Sequence, residues 1–149
     1  MKIIILAVGK EKDFSGQDIV REYVERISHY SPCEFKYILG NNKDDENKKI
    51  LDILNKEKSG VYVVALDEMG KEFDSRGFSE LIQKRLNEST RTLFFVIGGS
   101  YGLSEEVRKC ANMTVALSKL TFPHQLVRLV LSEQLYRAFS IIRGEKYHH

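Results

Sequence analysis

Short apolar runs rich in branched residues alternate along this chain with longer segments whose apolar positions recur every three or four residues, and that alternation restricts the fold more than any other feature. Strands that feed helices cannot pair with their sequence neighbours as hairpins, so the pattern predicts stacked βα units around a mainly parallel sheet. Five units are legible: strands at Lys2 to Val8, Cys33 to Leu39, Val61 to Leu66, Leu93 to Ile97 and Met113 to Leu117, each followed by a helical segment. The fourth run is continuously apolar, as expected at a sheet centre, whereas the second alternates Cys33, Phe35, Tyr37 and Leu39 with Glu34, Lys36 and Ile38 and reads as a half-exposed edge.

The helices are expected at about Ser15 to His29, Asp44 to Asn55, Ser75 to Asn87, Ser104 to Ala111 and Pro123 to Arg143. Ser75 is the expected cap of the third, a turn with Gly70 is expected over Asp67 to Lys71, and Gly144 stops the last helix. In that last helix Val127, Val130, Leu131, Leu135, Ala138, Phe139 and Ile142 form one stripe, widened by Leu126, Leu129 and Tyr136. The stripe exceeds what one sheet face covers, and a second copy of the chain is the simplest additional partner.

With 149 residues, 42% of them hydrophobic, the chain makes one domain with an ordinary core, without help from disulfides or metals. No apolar run approaches the ~20 residues that cross a bilayer. Cys33 and Cys110 stand far apart in sequence, a pattern that fits a reducing cytoplasm and no thiolate metal site. No histidines stand at a helical step with a third ligand, so no metal is expected. The net charge of +2 is unevenly distributed. From Lys119 onward five Lys or Arg face two Asp or Glu, against 18 and 19 before it. A local cationic surplus of this kind attracts phosphates, although Arg128, Arg137 and Arg143 do not form one row on the last helix and read as solvated.

The turns after the third, fourth and fifth strands carry the clearest chemical signal. In an open parallel sheet the carboxyl ends of the strands share a crevice, so Leu66-Asp67-Glu68-Met69-Gly70, Gly98-Gly99-Ser100-Tyr101-Gly102 and the segment from Leu117 to Pro123 are expected to converge on one ligand. Neither Gly9 nor Gly98 begins the dinucleotide spacing, and Gly9-Lys10 is followed by Glu11 rather than by the Ser or Thr of a phosphate loop. Gly98-x-Ser100-x-Gly102 formally matches a hydrolase nucleophile elbow, but no aspartate follows Ser100 to orient a histidine. His124 reads as a hydrogen-bonding core or interface residue, and the adjacent Asp67 and Glu68 do not make a paired-carboxylate site.

Three stretches, Val96-Ile97-Gly98-Gly99-Ser100-Tyr101-Gly102-Leu103, Leu117-Ser118-Lys119-Leu120-Thr121-Phe122-Pro123-His124-Gln125 and Arg143-Gly144-Glu145-Lys146-Tyr147-His148, together with the opening Ile5-Leu6-Ala7-Val8-Gly9-Lys10, resemble the RlmH family, large-subunit ribosomal RNA pseudouridine N3-methyltransferases of the SPOUT superfamily. The resemblance implies a single α/β domain with a C-terminal trefoil knot, a homodimer, S-adenosyl-L-methionine as methyl donor, and ribosomal RNA or the assembled ribosome as partner. It puts the cofactor on Leu66, Gly98, Leu117, Ser118, Lys119, Leu120, Thr121 and Phe122, and the substrate side on Arg143, Tyr147 and His148. It also implies phosphate contacts among Lys119, Arg128, Arg137, Arg143 and Lys146. Lys146 stands where the family commonly has proline, and His149 where it has a final cation. Methylation of another RNA position, or a non-catalytic ribosome-associated RNA-binding dimer, are the alternative readings.

Overall fold

The computed structural model describes residues 1–11, 15–57 and 59–147. Five strands, β1 (Lys2–Val8), β2 (Cys33–Ile38), β3 (Val61–Glu72), β4 (Thr92–Ile97) and β5 (Met113–Ala116), alternate with α1 (Gln17–Ser28), α2 (Lys43–Lys56), α3 (Ser75–Asn87), α4 (Glu105–Cys110) and α5 (His124–Arg143). The sheet is wholly parallel, in the order β2-β1-β4-β3-β5. All six residues of β4 are buried at its centre, and β2 is an edge, as their patterns predict.

Alternate residues of each strand feed two separate cores, because successive side chains leave opposite faces of a pleated sheet. Ile3, Ile5 and Ala7 of β1 pack with Leu93 and Phe95 of β4 beneath α1, α3 and α5. Ile4, Leu6 and Val8 pack with Phe94 and Val96 beneath α2 and α4. Ile38, expected on the more polar side of the edge strand, is buried there because Ile50 and Leu54 of α2 cover it.

Two local expectations are corrected. The sequence from Asp67 to Lys71 does not end the third strand. β3 bulges between Leu66 and Lys71 and then resumes, so Val115 of β5 is in register with both residues. Gly70 permits this: a β-carbon there would lie 2.6 Å from the Val115 carbonyl carbon and 2.7 Å from that of Thr114, which are rigid backbone atoms. The cap of α3 is Asp74 rather than Ser75. Its carboxylate accepts the Gly77 amide at 2.7 Å, while the Ser75 hydroxyl donates across to Gln134 of α5 at 2.8 Å.

The arginines of α5 bring a third correction. Arg128, expected at the surface, is fully buried. Its guanidinium donates to the Val8 carbonyl, and to that of Lys10 at 3.1 Å, and lies 5.2 Å from the Tyr37 ring centre. The cause is helical spacing: residue 128 is three and seven positions before the buried Leu131 and Leu135 and shares their inward face. Arg137 gives its guanidinium to Glu133 at 2.6 Å, whereas Arg143 and Lys146 are exposed.

Replacing Gly70 by alanine is expected to destabilise the fold by about 2 kcal/mol, as overpacking against immovable atoms does, read as a lower urea midpoint. Burial pushes the Cys33 thiol up to about 12, whereas Cys110 is exposed. In native protein at pH 8 a thiol-disulfide reagent is therefore expected to modify Cys110 rapidly and Cys33 only after unfolding; two equal fast phases would contradict this.

Candidate cofactor and substrate cleft

At the carboxyl rim of the sheet the segments following β3's first half, β4 and β5 close around one cleft of about 940 Å³. Leu66, Ile97, Val115, Leu117 and Val127 give it apolar surface, interspersed with polar side chains such as Ser100, Thr121 and Gln125. Met69, Tyr101 and Leu120 stand exposed among its lining residues. Backbone geometry holds each segment. Ser118 Oγ accepts the Leu120 amide at 3.0 Å, and Asp67 accepts the Met69 amide at 3.0 Å, so two polar side chains stabilise local turns. The Gly102 amide donates to the Gly99 carbonyl at 2.9 Å, which folds the glycine loop back on itself.

That loop itself requires glycine at 98, since a β-carbon would lie 2.8 Å from the Gly102 carbonyl carbon. The loop is not a nucleophile elbow. Ser89 is the only non-glycine residue with positive φ among the described residues, so Ser100 lacks the strained backbone that such a nucleophile uses.

Side chains then tie the segments to one another. Asp67 pairs with Arg108 of α4 at 3.1 Å, and Thr121 Oγ1 donates to Glu68 at 2.7 Å, linking the bulge of β3 to the segment after β5. His124, at the start of α5, also lines the cleft. Its Nε2 lies 3.5 Å from where a β-carbon on Gly9 would sit, and Gly9 adopts a φ of +109° that favours glycine. The end of β1 thus packs directly against the first turn of α5. Besides His124, the ionisable groups lining the cleft are Asp67, Glu68 and Arg108, two carboxylates against one guanidinium. Among the described residues no group of three His, Cys, Asp and Glu side chains is placed to hold a metal ion.

Of the eight positions expected to hold a cofactor, Leu66, Gly98, Leu117, Ser118, Leu120, Thr121 and Phe122 line this one cleft. Lys119 does not line it: its ammonium is directed toward Glu72 at 3.9 Å and is largely exposed. The substrate-side residues lie elsewhere. α5 has 20 residues and is therefore about 30 Å long; it starts at the cleft and ends at Arg143. The chain turns back past that end, and Tyr147 packs against α1 and the middle of α5, beside Glu133, Tyr136 and Arg137; His148 lies outside the described residues. Arg108 escaped the sequence reading, since a lone arginine on a six-residue helix gives no periodic signal; the burial of Arg128 was missed as well, although its spacing to Leu131 and Leu135 is the signal that points inward.

Proteins similar to this chain over its whole length are known. The family model described as "Predicted SPOUT methyltransferase" matches residues 1–148. Ribosomal RNA large subunit methyltransferase H of Christiangramia forsetii is 44% identical, covering 100% of this chain and 99% of that protein. The proteins of the same name from Flavobacterium johnsoniae and Cytophaga hutchinsonii are 43% and 42% identical, again over 100% of this chain and 99% and 100% of theirs. Among solved structures, the SpoU methyltransferase AviRb of Streptomyces viridochromogenes, in complex with AdoMet, aligns at 10% identity with a TM-score of 0.47, and this chain spans 61% of its length. The chain belongs to the SPOUT methyltransferase family. Its full-length relatives within that family are ribosomal RNA large subunit methyltransferases H.

Removing the buried guanidinium with Arg128→Ala is expected to cost about 3 kcal/mol, because it strands the Val8 carbonyl and opens a void. A urea midpoint equal to that of the unsubstituted protein would show that the Arg128 contacts contribute nothing net.

Proposed function

We propose that this protein methylates N3 of a pseudouridine in large-subunit ribosomal RNA, with S-adenosyl-L-methionine as donor. The observation that carries this reading is the convergence of three chain segments, separate in sequence, on one cleft at the sheet's carboxyl rim. Its volume is at the upper end of the range for small-molecule sites, enough for a nucleoside cofactor and part of a second planar group. Leu66, Leu117 and Leu120 offer apolar surface to an adenine, and the backbone of residues 117–121 offers amides and carbonyls for its edge. The anionic excess from Asp67 and Glu68 suits a ligand of net positive charge. Bound there, S-adenosyl-L-methionine supplies a methyl group on an electron-poor sulfonium.

The protein's part is alignment and proton management. The acceptor nitrogen must face the methyl carbon in line, and most of the rate enhancement comes from holding that geometry. N3 must also lose its proton. On this reading His148 accepts it and Arg143 steadies the anionic base or a neighbouring phosphate. Because Tyr147 docks nine to thirteen residues along α5 from the cleft, about 14 to 20 Å, on this reading residues 143–148 act in the cleft of a second copy. Leu126 and Val130, 41% and 36% exposed on α5 near the cleft, supply apolar surface for that homodimer. An antiparallel pairing of α5 helices would bring each tail to the partner's cleft. The return of the chain from the β5 edge to α5, packed against both α1 and α3, is consistent with a C-terminus threaded as a trefoil knot. Exposed Lys119, Arg143 and Lys146 are the cations suited to phosphate contact, giving salt-dependent binding, with specificity left to RNA shape and ribosomal context.

Leu117→Glu buries a carboxylate against the adenine position. It is expected to weaken S-adenosyl-L-methionine binding by ~100-fold in calorimetry, while the urea midpoint stays close to that of the unsubstituted protein. Mass spectrometry of ribosomal RNA from a deletion strain should recover N3-methylpseudouridine when the unsubstituted gene is returned and not with the variant. Absence of cofactor binding at millimolar concentration would overturn the proposal.

A further inference from the structure

Past α5 the chain turns at Gly144, which adopts a left-handed φ of +69°, and the next residues are fastened back onto the body. The Glu145 amide donates to the Ser140 carbonyl at 2.9 Å, and its carboxylate accepts the Tyr30 hydroxyl at 2.6 Å. Two residues on, Tyr147 enters a site built from both helices. Its ring meets Tyr136 edge-on at 4.7 Å and lies 5.0 Å from the Arg137 guanidinium. Its hydroxyl lies 3.3 Å from Glu133 Oε1 and 3.3 Å from the Tyr23 hydroxyl.

The hydrogen-bond inventory orders this cluster. Glu133 can only accept. It takes both Nε and Nη2 of Arg137, at 2.9 and 2.6 Å, and on its other oxygen the Gln134 amide at 2.6 Å. Tyr147 therefore donates its one proton to Glu133, which leaves its oxygen lone pairs for Tyr23 to donate to. Donation thus runs from Tyr23 through Tyr147 to a carboxylate already locked by an arginine fork. A tyrosine so held keeps its proton. Burial first, then the Tyr23 hydroxyl and the Glu133 charge, raise the Tyr147 phenol well above its ordinary range. It is unsuited to act as a base near neutral pH, so its value lies in where it is held.

We infer that Tyr23, Glu133 and Arg137 form a clamp on Tyr147 that positions the end of the tail for the partner subunit's cleft, making all four positioning residues rather than catalytic ones. The inference rests on the reading that the tail acts in the second copy's cleft. Arg137 is thereby committed to Glu133 instead of to RNA phosphate.

The test uses the full-length dimer and the conservative variants Tyr23→Phe, Tyr147→Phe and Glu133→Gln. Each is expected to lower kcat on ribosomal RNA by ~10-fold, the cost of a misplaced reacting group, with S-adenosyl-L-methionine affinity unchanged. Equal losses in cofactor affinity and kcat, or kcat unchanged in all three, would overturn the clamp. Subunit mixing separates this from the underlying reading. Glu133→Gln mixed with Leu117→Glu should recover activity up to about a quarter of the sites of the unsubstituted dimer, because half of each hybrid is intact. His148→Ala mixed with Leu117→Glu is the control. If the control recovers nothing, the tail does not act in trans and the parent reading falls, taking the clamp with it. If the control recovers activity while the single variants show full kcat, only the clamp falls.

Discussion

A single buried guanidinium fastens the last helix to the first strand, and the working geometry of this molecule depends on that attachment. Burying a charge is expensive unless its hydrogen bonds are met. Arg128 donates to carbonyls of Val8 and Lys10, at and just past the end of β1, and lies near the Tyr37 ring. The contact spans 120 positions of sequence. It brings the first turn of α5, with His124 and Val127, to the carboxyl rim of the sheet, and so completes a wall of the cleft that the strand-end segments alone leave open.

The cleft is a product of sheet order as much as of residue type. With β4 central, β3 beside it and β5 at the edge, the segments leaving these strands emerge side by side on one rim. The β3 bulge adds a refinement. By resuming its pairing with β5 after Gly70, the strand holds Asp67, Glu68 and Met69 as a protrusion anchored at both ends rather than as a free turn. Asp67 with Arg108, and Glu68 with Thr121, then cross-link the protrusion to α4 and to the segment after β5. Apolar surface supplies shape and affinity while fixed polar groups supply orientation, which is the usual division in a small-molecule site.

The same helix that closes the cleft carries the tail away from it. Its last residue, Arg143, lies about 30 Å from its first, but the chain turns back at Gly144 and Tyr147 docks against Glu133 and Arg137 in the middle of the helix. On the proposed reading a second copy completes the site. Sequence similarity over the full length of ribosomal RNA large subunit methyltransferases H places the protein in its family.

Much was legible from residues alone. Branched apolar runs set the strands, and the polar alternation of β2 against the continuous run of β4 told edge from centre, because burial on one or two faces leaves a direct imprint on hydropathy. The three site segments were also legible, since glycines and polar turn formers after buried strands mark a carboxyl rim. Tertiary structure decided the rest. That Gly70 continues a strand follows from the approach of the β5 backbone, which no local pattern encodes. That Arg128 is buried and Arg137 committed to Glu133 depends on which carbonyls and carboxylates the fold brings to them. Hydropathy is a property of each residue and its near neighbours, whereas satisfying the buried charge of Arg128 depends on partners more than a hundred residues away in the chain.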